Sequence, residues 1–275
     1  MYYIVQEKLY REDEWDDLIK ALDRLDLEYE IVKLRPFIDD FDFKTDRKDV
    51  FCFGALKIAR LTPKYGWNPG CIMTKNHNFN VYKEFYKENL LNYDSKIYKI
   101  GDEFTWNGDF FVRPVLDTKI FNGRPYTMED WKKERTRLLT NSHKDKENGL
   151  TNIVSENTEI QVSHLKNIQK EFRFFIVGGR IITGSLYKEG YFVRYDNRVD
   201  EGAKEFCKKM IDIYQLADSF VMDICLTNNE YKIIECGCIN CAGLYKINIQ
   251  SLLMAIEDYY NEDSRIFWEN TNYIF

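Results

Sequence analysis

A chain of 275 residues with 44% hydrophobic and 31% charged side chains, 19 Phe and 19 Tyr, carries enough apolar surface for a substantial core and excludes a disordered chain. Its length exceeds the roughly 100–200 residues of a usual domain, so two lobes or two small domains are expected. A net charge of −6 argues against a nucleic-acid partner, because the phosphate backbone rewards clustered Lys and Arg.

No window approaches about 18 consecutive apolar residues, and MYYIVQEKLYREDEW lacks the basic-then-apolar order of a signal peptide. The chain therefore reads as cytoplasmic, with no membrane partner. Seven cysteines, an odd count without an export signal, read as reduced thiols.

In chain order, the apolar run YYIV (2–5) reads as a strand and residues 11–25 as a helix. Trp15, Leu18, Ile19, Leu22 and Leu25 fall at spacings of three and four, and Glu12, Asp13 and Glu14 occupy the first turn, where the helix dipole favours anions. YEIVKL (29–34) and DVFCFG (49–54) read as further strands, the latter running through Gly54 into a helix at 55–61. A lone glycine there is read as a turn residue before it is read as a phosphate cradle.

Residues 80–91 read as a helix and 95–100 as a strand. FFVRP (110–114) is a strand, and TMED (127–130) is a capping box that opens a helix. Residues 140–157, polar with little periodicity, read as a surface loop. TEIQVS (158–163), EFRFFIV (171–177) and RIITGSLY (180–187) are strands, the last two joined by Gly178-Gly179, a dipeptide suited to a tight hairpin. A helix at 201–215, a hairpin over 220–236 and a C-terminal helix near 247–260 complete the reading. The fold class is α/β in the wider sense that includes α+β, with a small N-terminal α/β domain at 1–105 and a second domain at 106–275.

The hairpin carries the chemistry. Asp223 stands in an apolar strand, and Glu235 ends the facing one. A three-residue turn at 228–230 sets the two carboxylates across from each other on one face; a two-residue turn at Asn228-Asn229 sends them to opposite faces. Converging carboxylates in an apolar sheet need a cation, and hard oxygen donors suit Mg²⁺ with substrate phosphates. Two solvated strand-end carboxylates are the alternative. Arg113 and Arg173, each flanked by bulky apolar residues, and Lys119 supply cations for a phosphate clamp. The three histidines, His77, His143 and His164, show no metal-ligand spacing and read as structural or surface residues.

FVRP followed by DTK, then EFRFFIVGGRIITGSLY, then VMDICL and YKIIECGCINCAGLY, resembles the ATP-grasp superfamily over about Trp106 to Tyr245. Within it the chain is similar to the clade named for two arginines and a lysine, common in phage and bacterial proteins. The resemblance implies a two-lobed ATP-grasp fold that holds ATP and Mg²⁺ between its lobes. It implies a ligase that joins a carboxylate to an amine or thiol, with small-molecule, peptide or protein substrates. By resemblance, Arg113 and Lys119 lie on the nucleotide phosphates and Arg173 faces the γ-phosphate or acyl phosphate. Gln161, Val162 and Ser163 lie along the adenine, and the loop 140–157 covers the nucleotide. Asp223 and Glu235 match the metal-binding carboxylates. The family often has Glu, any residue, Asn at this site; Gly237 stands in the asparagine's place, and Asn240 matches a second asparagine that supplies the missing oxygen.

Cys236, Cys238 and Cys241 form a C-x-C-x-x-C run that holds zinc only if a fourth ligand arrives, Cys225 and Cys207 being the candidates. The preferred reading is small side chains at a strand end that turns into Ala242-Gly243.

Overall fold

The computed structural model describes residues 1–35, 40–41, 43–116, 120–147 and 154–261. They fall into two compact units, Met1–Thr74 with Ile168–Phe275, and Lys75–Asn167. The expected division at 105 is one of sequence; the compact units change instead at 74/75 and 167/168.

The first unit opens with β1 (Tyr2–Gln6), α1 (Glu12–Arg24), β2 (Tyr29–Val32), β3 (Val50–Phe53) and α2 (Leu56–Leu61), and the strands form a parallel sheet of order β2-β1-β3. Both faces of β1 are buried, as in a parallel sheet with covered faces. Tyr3 and Val5 pack with Leu18 and Leu22 of α1, while Ile4 packs with Val32, Val50, Ile58 and Leu61. Gly54 is a packing residue: a Cβ there would meet the Ile58 side chain at 2.1 Å.

The same unit resumes with β8 (Lys170–Val177), β9 (Arg180–Glu189), β10 (Phe192–Asp196), α5 (Glu201–Ile213), β11 (Ser219–Thr227), β12 (Glu230–Gly237) and α6 (Ile249–Tyr260). Its antiparallel sheet runs β10-β9-β8-β11-β12. Strand alternation divides the faces. Met222 meets Cys207 of α5 on one face, and Phe175, Val177 and Val221 meet α1 and α6 on the other. Gly178 and Gly179 take φ 56 and 72 between β8 and β9, as the hairpin requires.

The β11–β12 turn is the two-residue one. Asn228 and Asn229 take φ 47 and 65, and Thr227 pairs with Glu230. By the sequence argument this separates the carboxylates, yet Asp223 pairs with Glu235. The ladder shifts between Asp223 and Ile224: Ile224 faces Ile233, so Ile234 is the extra residue of a bulge. One inserted residue reverses the facing of everything beyond it and returns Glu235 to the face of Asp223.

The second unit holds α3 (Phe79–Tyr86), β4 (Lys96–Lys99), β5 (Phe110–Pro114), β6 (Arg124–Tyr126), α4 (Met128–Glu147) and β7 (Glu159–His164). Its antiparallel sheet runs β4-β7-β5-β6. β6 escapes a sequence reading because Pro125 interrupts it, which an edge strand tolerates. The capping box forms: the Asp130 N–H donates to Thr127 Oγ1 at 3.1 Å and the Thr127 hydroxyl to Asp130 Oδ2 at 2.8 Å. The loop expected at 140–157 is helical as far as Glu147. Trp131 and Leu138 anchor α4 in the core, and no Gly or Pro interrupts 127–147, so the helix continues beyond its apolar face. Residues 148–153 of that loop lie outside the described residues.

Candidate functional site

Four strands set one row of side chains across the larger sheet: Ser185 of β9, Arg173 of β8, Asp223 of β11 and Glu235 of β12, each paired with the next. Directly paired residues project from the same face. Arg173 grips Asp223 through two parallel bonds, Nε to Oδ1 and NH2 to Oδ2, both 2.8 Å. Asp223 is 3% exposed. A bidentate pair uses the fork of a guanidinium fully on one edge, and NH1 makes only a long contact, 3.4 Å, to the Gly243 carbonyl.

A stacked pair of aromatic rings lies beside the arginine. Its Cζ lies 4.9 Å from the Tyr245 ring centroid and 5.7 Å from that of Tyr187, and those rings stack at 5.0 Å. Tyr245 has φ 50, and its N–H donates to Glu14 Oε1 at 3.1 Å. The buried Glu14, a first-turn residue of α1, thus fixes the segment that carries this ring instead of merely facing the helix dipole. Periodicity did not reveal Tyr187, Tyr245, Glu171 or Glu14 as site residues. Only Tyr187 left a signal, as a polar-tipped ring two residues beyond Ser185 on the same strand.

Carboxylates gather beside this arginine. Glu171 accepts from the Tyr187 hydroxyl at 2.9 Å and from Lys188 Nζ at 2.7 Å, and three carboxylates, Glu171, Asp223 and Glu235, share the neighbourhood of Arg173 and Lys188. Burial pushes the Asp223 carboxyl above its ordinary value; Arg173 pulls it down, and Glu235 and Glu171 push it up again. A divalent cation bound at this carboxylate would compete with its protonation. Cation affinity is therefore expected to rise with pH through a range above that of an ordinary carboxylate, and to level off once Asp223 is ionised. Calorimetric titration with Mg²⁺ and ATP across acid and neutral pH checks this; an affinity that levels off within the ordinary carboxylate range contradicts it.

Asn240 does not join these carboxylates as a ready ligand. Its Oδ1 accepts the Ile72 N–H at 2.8 Å, and its Nδ2 donates to the carbonyls of Cys52 at 2.7 Å and Gly70 at 3.2 Å. It is fully buried, and its amide is committed to backbone. Gly237 pairs with Val221, on the face of Glu235, and brings no side-chain oxygen.

In the other unit, Arg113 lies half-buried on β5, paired with Gln161 of β7. Gln161 donates to Ser95 Oγ at 3.0 Å. β4 pairs with β7 only as far as Val162, while β5 continues to His164. Val162 is core. Ser163 is 1% exposed, and its hydroxyl has no hydrogen-bond partner among the described residues. A buried hydroxyl without a partner costs free energy, about 1–3 kcal/mol. Lys119 lies outside the described residues.

The fold has known counterparts. The chain aligns with D-alanine–D-alanine ligase from Coxiella burnetii at 11% identity and TM-score 0.61, covering 98% of this chain and 100% of that one. The ATP complex of the Bacillus anthracis D-alanine–D-alanine ligase aligns at 12% identity and TM-score 0.57, covering 97% and 99%. The ATP-grasp ligase PsnB, complexed with a phosphomimetic variant of its minimal precursor, Mg and ADP, aligns at 11% identity and TM-score 0.50, covering 94% and 97%. At such identities the likeness shows the fold alone. No curated protein matches the sequence. Residues 94–255 match the ATP-grasp domain of family 2 in the clade named for two arginines and a lysine. That match spans more than half of the chain and contains the whole row from Ser185 to Glu235, and the chain belongs to this ATP-grasp family.

Proposed function

We propose that the chain is an ATP-dependent ligase that converts a carboxylate to an acyl phosphate, releases ADP, and joins the acyl group to an amine or thiol with release of phosphate. The observation that carries this reading is the row Arg173–Asp223–Glu235 on one face of an ATP-grasp sheet. Its donor set fits a hard divalent cation: two carboxylates face each other, and burial first, with Glu235 and Glu171 adding to it, raises the Asp223 carboxyl above its ordinary value. Asp223 and Glu235 hold Mg²⁺. When bound, Mg²⁺ neutralises the charge that spreads over the transferred phosphoryl group.

The remaining roles belong to side chains and are mainly ones of positioning. Arg173, held by Asp223 and the two tyrosine rings, presents its NH1 edge to phosphate oxygens. Arg113 and Lys119 serve as further phosphate cations. Gln161 and Val162 shape the strand, and the Ser163 hydroxyl takes a polar edge of the base. Ser163→Ala is expected to leave stability unchanged or raise it by about 1 kcal/mol, since it removes a buried group without a partner. The same change is expected to raise the KM for ATP several-fold. Thermal melts and ATP kinetics check the two signs; a loss of stability with unchanged KM removes Ser163 from the nucleotide site.

Substrates of this reaction are a small-molecule, peptide or protein carboxylate and an amine or thiol. No helix of the described residues is long and apolar enough to cross a membrane. A nucleotide-binding recognition module with little turnover is the second reading, favoured by Gly237 and by the committed amide of Asn240, which leave two carboxylates for the metal. Incubation of the chain with ATP, Mg²⁺ and a cell extract, followed by ADP assay and mass spectrometry, separates the readings. A new amide or thioester with one ADP per bond supports the ligase. A phosphorylated product without a new bond turns the reading to phosphotransfer, and ATP binding with no ADP turns it to the recognition module.

A further inference from the structure

The C-x-C-x-x-C run contributes only two of its cysteines to a cluster, and the third thiol comes from 167 residues away. Sγ atoms of Cys71, Cys238 and Cys241 all lie within 4.8 Å of one another, and Cys71 Sγ is 3.7 Å from Cys238 Sγ. Cys236 is elsewhere. It pairs with Met222, which meets Cys207 on the α5 face of the sheet. Cys225, on β11, pairs with Lys232 and Glu171.

One of the three spacings, Cys71 to Cys238, is that of metal ligands. Zinc–thiolate bonds of about 2.3 Å at tetrahedral angles put sulfurs about 3.8 Å apart, close to the 3.7 Å observed. A disulfide needs about 2.05 Å and leaves the third thiol without a role. A short 3-10 turn at Ile239–Cys241, closed by the Cys241 N–H on the Cys238 carbonyl at 3.2 Å, sets Cys238 and Cys241 side by side. Cys71 is brought to them by Asn240. This residue lies between the other two cysteines, and its amide bonds Gly70 O and Ile72 N, the neighbours of Cys71 on either side. Such outer hydrogen bonds aim the ligands of a metal centre.

We propose that Cys71, Cys238 and Cys241 bind one zinc ion as thiolates. Zn²⁺ replaces three thiol protons, which pass to solvent, and three Zn–S bonds form. The ion clasps the 70–72 segment to the chain that leaves β12 just beyond Glu235, so it supports the strand end that carries a catalytic carboxylate without touching the reaction. This site stands whether or not the ligase reading does.

The test uses the full reduced chain, loaded with zinc or with cobalt as a spectroscopic stand-in. About one metal ion per chain is expected, with the thiolate-to-cobalt charge-transfer band and the visible bands of tetrahedral cobalt. Chelation is expected to lower the melting temperature. Cys71→Ser, Cys238→Ser and Cys241→Ser each lose the metal, whereas Cys236→Ser and Cys225→Ser retain it. The wild-type titration needs no variant to fold. Absence of the thiolate–cobalt band at stoichiometric cobalt overturns the site, as does loss of metal in Cys236→Ser, or a metal-free chain isolated without reductant with a Cys71–Cys238 disulfide.

Discussion

Glu235→Gln is expected to lower Mg²⁺-dependent ADP formation by on the order of 10²–10³-fold, the range for removing one preorganised electrostatic group from a phosphoryl or acyl transfer site. The change keeps the shape of the side chain and removes one charge. It also removes a carboxylate that pushes the Asp223 carboxyl upward, so the chain without metal should hold its stability within about 1 kcal/mol. Loss of turnover with an unchanged melt is the signature of a metal ligand. It is measured by coupled ADP assay at several Mg²⁺ concentrations, and activity that survives within a few-fold would falsify the assignment. High Mg²⁺ should restore part of the rate, because Asp223 stays in place.

Asp223→Ala is expected to cost about 3–5 kcal/mol of stability, because it leaves the guanidinium of Arg173 buried without its partner. Against the usual 5–15 kcal/mol of a folded domain, this is the largest single loss expected at the site. The pair Arg173→Met with Asp223→Leu should recover most of it, since two apolar residues of similar size leave no charge to compensate. Urea melts of Arg173→Met, Asp223→Leu and the pair form the cycle. If the losses simply add, the bidentate pair at 2.8 Å is not what ties β8 to β11 here. A consequence concerns Asp223→Asn combined with Glu235→Gln. The amide cannot neutralise Arg173, so this double change perturbs the fold as well as the metal site, and Glu235→Gln alone is the cleaner probe.

Much of the site was legible because strands expose their period. Arg173 in EFRFFIV and Asp223 in FVMDICL each interrupt an apolar run, and a charge in such a run needs a partner. That they are each other's partner was not legible: it depends on β8 pairing with β11, strands that are not consecutive in the chain. Helix α1 was legible in its periodicity, yet the buried role of Glu14 was not, since its partner Tyr245 lies 231 residues along the chain. The polar stretch 140–147 is misleading because it lacks an apolar stripe, yet α4 runs through it to Glu147 with no Gly or Pro to stop it.

By itself the sequence determined the strand and helix order, the residue types able to hold phosphate and a divalent cation, and the family resemblance, since each rests on short-range periodicity and local chemistry. Tertiary structure alone decided three things. The bulge at Ile234 turned a register that would have parted Asp223 and Glu235 into one that pairs them. Asn240, expected to serve a metal with its oxygen, became the clasp on the backbone at 70–72. Cys71 replaced Cys236 in the thiol cluster. Each outcome depends on which distant segments share a face, and long-range register is not written in any local window of the chain.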